Sequence, residues 1–336
     1  IGSIRGFPPA IPSRAGGRIG IICPVSTSPH VAEAGAPAPI RLIIQQPALP
    51  KYRVPVYRKL ARRPALDVTV IYGDSPGGPL NVEPDGFTGR MVPEKRWKFG
   101  KRTVMWHSPA VSSASRRVAD VLLLSWNLHY ASLVPALIKA KLAGVPTVLW
   151  GHGYSKREAA WRSVPRSLVA RLATSLLFYN QTIARPVIEA GLDPKKVFVA
   201  PNRLAQSPIA AARRQWTDQP DRLEAFAREH DLTGRQNILF ISRLDPLRRL
   251  DLLLAAVAQL APAHPAMRLL IIGKGEEEAN LRKLAASLGV TDRVQFLGAI
   301  YEEAKLAPWF LCSQVACFPS EMGLSLLHSF GYGLPV

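Results

Sequence analysis

The chain has 336 residues, of which 48% are hydrophobic, enough to bury the cores of about two domains. Its apolar runs are far shorter than the ~20 residues that span a bilayer, and no secretory signal is readable, which favours the cytoplasm. The net charge of +19 is uneven, because residues 1–216 hold 31 Lys and Arg against 10 Asp and Glu, whereas residues 217–336 hold 12 against 14.

Residues 1–39 are rich in Pro, Ala and Gly, begin with Ile and show no clear periodicity. They are predicted to be disordered or to lie outside the natural domain. From residue 40 onward, short apolar runs alternate with amphipathic segments. The predicted strands are 40–46, 67–73, 120–126, 146–153, 175–180 and 196–202, and the predicted helices are 55–62, 131–143, 164–173 and 181–190. This alternation predicts a parallel, doubly wound sheet in a first domain spanning 40–202.

Residues 203–235 interrupt the rhythm with a polar stretch that contains one predicted helix, 218–230, and they are interpreted as the inter-domain connection. A second series then begins, which predicts a second domain over 236–336. Its predicted strands are 237–242, 267–273, 293–298 and 314–320, and its predicted helices are 249–261, 276–288 and 302–309. The fold class is therefore α/β, with two doubly wound, Rossmann-like domains and a ligand cleft at the carboxyl ends of the two sheets.

Two features of the second series suit a phosphorylated ligand. Arg243 follows a strand, and Arg248 stands five residues later at the start of a helix, where anions are favoured. Gly273 and Gly275 then form a turn between strand and helix, through which a backbone can approach a ligand closely. Each feature alone is more often structural, but their order and spacing together are more specific.

The stretch from Asn237 to Val336 resembles the nucleotide-sugar domain of retaining GT-B glycosyltransferases, in particular glycosyltransferase family 4. The family pattern is Arg-Leu-x-x-x-Lys-Gly-x-x-x-Leu-Leu, then Gly-x-Gly, a strand ending in Phe-Leu-Gly, and a Glu-rich segment closing on Gly-x-Pro-Val. The first half resembles the family through "QQPALPKYRVPVYRKLA", "WGHGYSKRE" and "VFVAPN", so the resemblance covers residues 40–336. It implies transfer of a sugar from a nucleotide diphosphate donor with retention, with no metal or other cofactor required.

The resemblance also implies roles for individual residues. The family's Arg and Lys, which neutralise the leaving diphosphate, fall on Arg243 and Arg248. Its Gly-x-Gly falls on Gly273 and Gly275, and His152 matches a His near the donor sugar. No general base is assignable, since in such enzymes the leaving phosphate is thought to accept the acceptor's proton.

The closing motif of the family carries two Glu residues eight positions apart, which contact the donor sugar and the ribose. Alignment on Gly323 and Leu324 puts His328 at the second position, while Glu321 stands one residue late for the first. The alternative is that His328 has a structural role only, as a hydrogen-bonded histidine of a helix. Family members continue past Gly-x-Pro-Val, so the resemblance predicts an incomplete second domain and a truncated, less stable chain.

The acceptor side is predicted in the first domain, for a glycan or lipid-linked acceptor. The loop after the first strand lacks the paired glycines of many relatives and offers Tyr52 and Arg53 instead. Glu158 is a further acceptor-side candidate.

The stretch "RMVPEKRWKFGKR" interleaves aromatic and basic side chains, which suits an anionic membrane surface at the inner face of the cytoplasmic membrane. The candidate membrane contacts are Arg90, Lys95, Arg96, Trp97, Lys98, Phe99, Lys101 and Arg102. The alternative is a solvated loop. Nucleic acid is not expected as a partner, because no nucleic-acid motif is visible.

Two other readings remain open at the level of sequence. The chain could be an inactive fragment that binds a membrane or polyanion through its basic half. It could also be a nucleotide-sugar epimerase of the same fold, although the additional acidic residues that this reaction needs are not evident.

Overall fold

The computed structural model describes residues 37–74, 81–100, 102–152, 163–320 and 322–336. Residues 1–36, most of the segment predicted to be disordered or non-native, lie outside this description. Two parallel sheets, each flanked by helices, account for the two predicted series.

The first sheet has seven parallel strands in the order β3-β2-β1-β6-β7-β8-β9. These strands are β1 (Ile40–Gln46), β2 (Leu66–Tyr72), β3 (Thr88–Met91), β6 (Val121–Ser125), β7 (Thr147–Gly151), β8 (Ser175–Phe178) and β9 (Val197–Val199). The accompanying helices are α1 (Val54–Ala61), α2 (Ser108–Ser112), α3 (Leu133–Leu142), α4 (Ser163–Leu172) and α5 (Gln181–Glu189). Ile44, Leu122 and Leu149 are fully buried at the centre, as expected when both faces of a parallel sheet are covered.

The stretch from residue 88 to residue 106, where the sequence predicted no strand, forms β3 and an antiparallel hairpin of β4 (Lys95–Phe99) and β5 (Arg102–Trp106). A buried carboxylate explains the added order. The Glu94 side chain has no exposed surface, accepts a 2.7 Å hydrogen bond from Arg96 Nη2, and accepts another from the Tyr130 hydroxyl. Because a buried charge is tolerated only when it is paired and hydrogen-bonded, this cluster fixes the base of the hairpin to the first domain.

The segment predicted as an inter-domain connection contains two helices, α6 (Gln206–Thr217) and α7 (Pro220–Glu229), where the sequence indicated one. Both pack into the second domain. Ile209 and Trp216 join a buried cluster with Phe310 and Tyr332, and Trp216 Nε1 donates a 2.7 Å hydrogen bond to the Ala304 carbonyl. The apolar face of α6 is not evident in the sequence, because Arg213, Arg214 and Gln215 lie between Ile209 and Trp216.

The second sheet has four parallel strands in the order β12-β11-β10-β13. They are β10 (Gln236–Ile241), β11 (Met267–Ile272), β12 (Val294–Gly298) and β13 (Val315–Ala316). The helices are α8 (Leu250–Leu260), α9 (Glu278–Ser287), α10 (Glu303–Leu311) and α11 (Ser325–Tyr332). The loops that carry the candidate donor residues thus leave the carboxyl ends of adjacent strands, which meet at one edge of the sheet.

None of the helices in the described parts of the chain has the length and hydropathy needed to cross a membrane.

Candidate functional site

Two arginines face one carboxylate just beyond the carboxyl end of β10. Asp245 Oδ1 accepts a hydrogen bond from the Leu247 amide and so caps the 3₁₀ turn Pro246–Arg248. Its two oxygens stand 3.7 Å from Arg243 Nη2 and 3.7 Å from Arg248 Nε. Both distances are longer than a charge-assisted hydrogen bond, so these ion pairs are weak, and the two guanidinium groups lie beside the same carboxylate. The Arg243 side chain is 62% exposed and Arg248 19%.

Arg249 occupies the position at which the family pattern has glycine, between this turn and α8. Its φ is 51°, in the left-handed region that is unfavourable for residues with a Cβ. Its guanidinium pairs with the Asp251 carboxylate at 3.0 Å. The chain therefore keeps the sharp turn into α8 without glycine.

Gly273 and Gly275 permit two loops of the protein to approach each other. A Cβ on Gly273 would lie 1.8 Å from the Ser242 carbonyl oxygen, and one on Gly275 would lie 2.1 Å from the Leu244 carbonyl oxygen. The Leu244 amide also donates a 3.0 Å hydrogen bond to the Lys274 carbonyl. The loop that bears Arg243 is thus held against the glycine turn, main chain to main chain.

His328, predicted to contact a ribose, lies on α11 and points to a carboxylate of α10. Its Nε2 is 2.6 Å from Glu303 Oε1, which also accepts a 2.7 Å hydrogen bond from the Tyr332 hydroxyl. The Phe310 ring stacks on Tyr332 at 4.5 Å between centroids and lies 5.1 Å from the His328 ring. The ribose contact stays a prediction, with Glu303 as the partner of His328 in this structure.

The contacts around Glu303 shift the pKa values of Glu303 and Tyr332. Burial alone would raise the pKa of Glu303, but the hydrogen bonds from His328 and Tyr332 and the attraction of Lys51 outweigh it and lower the pKa below 4.5. Burial and the hydrogen bond to Glu303 raise the pKa of Tyr332 well above 10.0. Glu303 is therefore held as a carboxylate, 23% exposed.

The first domain contributes side chains from the carboxyl ends of β1, β7 and β8. A 3₁₀ turn, Lys51–Arg53, follows β1, and Lys51 Nζ donates a 2.8 Å hydrogen bond to the Tyr301 carbonyl oxygen in the second domain. Tyr52 is half-buried, while Arg53 is buried and its guanidinium carbon lies 4.0 Å from the Trp150 ring centroid. Lys51 therefore contacts the second domain where the sequence predicted a cleft.

His152 follows β7 directly, as predicted for a residue at the carboxyl edge of the first sheet. Its ring is exposed and lies 4.4 Å from that of Tyr179. Gly323 has a φ of 58°, and Leu324 immediately precedes α11. Glu321 and Glu158 lie outside the described residues.

The candidate membrane residues lie on β3 and the hairpin. Trp97 and Phe99 are 44% and 66% exposed, and Arg90, Lys95 and Lys98 are exposed beside them. Arg96 differs, because it is half-buried and bonded to Glu94. Lys101 and the side chain of Arg102 lie outside the described part of the hairpin.

Two residues of the site, Asp245 and Glu303, were not predicted from the sequence. Asp245 could have been found, since Asp followed by Pro is a helix N-terminus signal. Glu303 could not, because its pairing with His328 joins residues 25 positions apart on two helices.

In the described parts of the chain, no group of three or more His, Cys, Asp or Glu side chains is arranged to hold a metal ion.

One segment of the chain matches a known protein family. Residues 235–336 match the family of glycosyl transferases described as group 1. Two curated relatives are an exopolysaccharide phosphotransferase of Streptomyces coelicolor, 30% identical over 50% of this chain and 19% of its own length, and a D-inositol 3-phosphate glycosyltransferase of Geodermatophilus obscurus, 30% identical over 52% and 40%. The chain thus spans less than half the length of these two relatives.

Among solved structures, Anabaena HepE in complex with UDP shares 15% identity and superposes with a TM-score of 0.61 over 88% of this chain and 79% of its own. This likeness establishes the fold, a GT-B arrangement of two Rossmann-like domains. The group 1 segment contains both arginines, the glycine turn and His328.

Replacing Gly275 by Ala tests the close approach of the two loops. We expect Gly275→Ala to lower the free energy of unfolding by about 3 kcal/mol, because its Cβ meets main-chain atoms that cannot rotate away. Gly289 is the matched control, since its φ is 69° but a Cβ there meets nothing within 4 Å. Gly289→Ala should cost only the left-handed backbone penalty, about 1 kcal/mol. Equal losses in urea unfolding would contradict the role assigned to Gly275.

The low pKa of Glu303 predicts a pH-dependent contribution to stability. A carboxyl whose pKa is lowered by folding stabilises above its ordinary value of 4.5, and this contribution disappears as pH falls through the folded pKa. We expect Glu303→Gln to lower the free energy of unfolding by about 2 kcal/mol at pH 7, the scale of a hydrogen bond to a charged group. The difference from the parent protein should shrink below pH 4.5.

Glu302→Gln is the control for this measurement, because the Glu302 side chain is 68% exposed. It should change the free energy of unfolding by less than about 0.5 kcal/mol at every pH. A Glu303→Gln effect that is independent of pH would show that the charge of Glu303 is unimportant.

Proposed function

We propose that this chain is a glycosyltransferase that moves a sugar from a nucleotide diphosphate sugar to a glycan or lipid-linked acceptor, with retention of anomeric configuration. The reaction would serve surface polysaccharide or glycoconjugate biosynthesis. The observation that carries the proposal is that Arg243 and Arg248 lie beside the same carboxylate, Asp245, beyond the carboxyl end of β10, within a segment that matches group 1 glycosyl transferases.

The chemistry requires positive charge at this point. When the bond between the anomeric carbon and the diphosphate oxygen breaks, that oxygen carries the electron pair away. Two guanidinium groups can donate bidentate hydrogen bonds to the diphosphate. These hydrogen bonds are stronger in the transition state, where negative charge develops on the leaving oxygen, than in the ground state. Asp245 would keep both groups aimed at the site until the diphosphate displaces its weak ion pairs.

The remaining donor contacts would come from the surrounding loops. Gly273 and Gly275 bring the main chain close to the diphosphate position, and Gly323, Leu324 and His328 lie at the start of and along α11. Glu321 completes this donor set in the proposal. On the first domain, His152 would face the donor sugar.

The acceptor would lie against the first domain, near Tyr52, Arg53 and Glu158. A phosphorylated acceptor gains support from the D-inositol 3-phosphate glycosyltransferases among the relatives and from the strongly basic first part of the chain. The acceptor hydroxyl would attack the anomeric carbon, and its proton would pass to the leaving phosphate.

The two alternatives predict different products from one incubation. An epimerase would convert the free nucleotide sugar without an acceptor, and a non-catalytic fragment would release no nucleotide. Incubation with UDP-, GDP- and dTDP-sugars, followed by analysis of released nucleotide and of the sugar, separates them from a transferase.

Removal of either arginine should weaken donor binding. We expect Arg243→Ala and Arg248→Ala each to lower the affinity for the nucleotide diphosphate by about tenfold or more, since each loses a charge-assisted hydrogen bond. Isothermal titration with UDP, GDP and dTDP measures this directly.

Arg249→Gly is the matched control, because it removes an adjacent positive charge while relieving a left-handed residue. Its nucleotide affinity should stay within about twofold of the parent protein, since Arg249 pairs with Asp251 rather than Asp245. Absence of binding by every nucleotide, or equal affinity in all variants, would rule out the donor site.

We further propose a peripheral position at the inner face of the cytoplasmic membrane, through the hairpin of β4 and β5. Alternation along a strand puts Lys95, Trp97 and Phe99 on one face, and pairing adds Trp106 opposite Lys95. An exposed aromatic and basic face of this kind suits the interface of an anionic bilayer.

Flotation with phosphatidylglycerol-containing vesicles tests the hairpin. Lys95→Gln should lower vesicle partitioning by about fivefold, because each basic residue near an anionic surface contributes about 1 kcal/mol to binding. The control, Lys195→Gln, removes one exposed charge elsewhere on the first domain and should leave partitioning unchanged. Undiminished flotation of the hairpin variant would exclude this surface.

A further inference from the structure

Within the part of the chain that the structure describes, Arg53 is a buried cation without an acidic partner. The residue is 7% exposed, and Nη2 donates a 2.5 Å hydrogen bond to the Tyr179 hydroxyl. Its guanidinium carbon stands 4.0 Å from the ring centroid of Trp150 and 5.4 Å from that of Tyr179. Among the described residues, no carboxylate forms an ion pair with it, and Nη1 is buried without a hydrogen-bond acceptor.

This arrangement is unfavourable for the protein on its own. A buried charge is normally paired, and a buried donor is normally hydrogen-bonded. The aromatic rings offset part of the cost through cation–π contact, but they supply no acceptor for Nη1. A buried guanidinium group without an ion-pair partner is suited to binding an anionic ligand.

The location of Arg53 favours a ligand of the predicted cleft. The turn Lys51–Arg53 follows β1, Trp150 is the second-last residue of β7, and Tyr179 follows β8. All three therefore lie at the carboxyl edge of the first sheet. Lys51, two residues from Arg53, contacts the Tyr301 carbonyl of the second domain. The turn therefore lies where the two domains meet.

We propose that Arg53 and the rings of Trp150 and Tyr179 form a recognition site for a phosphate group carried by the acceptor. This inference rests on the proposed glycosyltransferase function and names the chemistry of its acceptor. The planar fork of Arg53 matches phosphate oxygens, and the net charge of +21 over residues 1–216 favours a multiply charged group over a single carboxylate. Arg243 and Arg248, in the other domain, serve the leaving diphosphate, so a second anion site assigns a different phosphate to Arg53.

The test is titration of the full chain, saturated with UDP, with inorganic phosphate and with a short-chain prenyl phosphate. We expect the parent protein to bind both, and Arg53→Gln to bind each about tenfold more weakly or worse. The phosphate affinity of Arg53→Lys should lie between those of the parent protein and Arg53→Gln, because lysine keeps the charge but lacks the planar guanidinium fork. Tighter binding of the prenyl phosphate would support a lipid-linked acceptor, and equal binding would show that the site recognises the phosphate group alone.

Arg58→Gln is the matched control, since Arg58 lies on the adjacent helix α1 and pairs with the exposed Asp85. Phosphate affinity should be unchanged in this variant. Equal weakening by Arg53→Gln and Arg58→Gln would overturn the proposal, because it would indicate a general effect of charge. Weakened UDP binding by Arg53→Gln with intact phosphate binding would also overturn it, by placing Arg53 in the donor site.

Arg53→Met guards against a purely structural explanation. Its side chain keeps the apolar packing on Trp150 and removes the unpaired charge, so the thermal midpoint should be unchanged or raised while phosphate binding is lost. A large fall in the midpoint with phosphate binding retained would overturn the assignment. If UDP does not bind at all, the proposed function fails, and the same phosphate titration without UDP still decides the role of Arg53.

Discussion

The candidate donor site depends on the close approach of two main-chain loops in the second domain. The Leu244 amide bonds to the Lys274 carbonyl at 3.0 Å, and the Glu277 amide bonds to the Leu244 carbonyl at 3.1 Å. No side chain fits between them at Gly273 or Gly275. Because these contacts join backbone to backbone, they define the position of the loop that carries the arginines more firmly than side-chain packing would.

A second constraint lies at the junction of the two domains. The turn after β1 sends Lys51 to the second domain and Arg53 into an aromatic pocket of the first, while Glu303 is held as a carboxylate by His328 and lies within the electrostatic reach of Lys51. Charged groups from both domains therefore gather at the carboxyl edges of their sheets. Such a gathering is costly in a purely structural setting and is typical of a site that binds a charged ligand.

The sequence predicted every parallel strand of the two sheets except β3, because buried parallel strands are nearly continuous apolar runs and their helices alternate with them. It missed α6, whose apolar residues Ile209 and Trp216 stand among arginines and glutamines, and the β4–β5 hairpin, whose order depends on the buried Glu94. It placed Arg243 and Arg248 correctly at the end of β10. It could not reveal the contact of Glu303 with His328 or the pocket of Arg53, since these are tertiary contacts between residues distant in sequence.

The central claim is that Arg243 and Arg248 form the diphosphate site, and a crystal structure of this protein with bound UDP tests it most directly. The account predicts phosphate oxygens within hydrogen-bonding distance, about 2.7–3.1 Å, of both guanidinium groups, beside the turn of Gly273 and Gly275. UDP bound elsewhere with both arginines still on Asp245 would contradict the account.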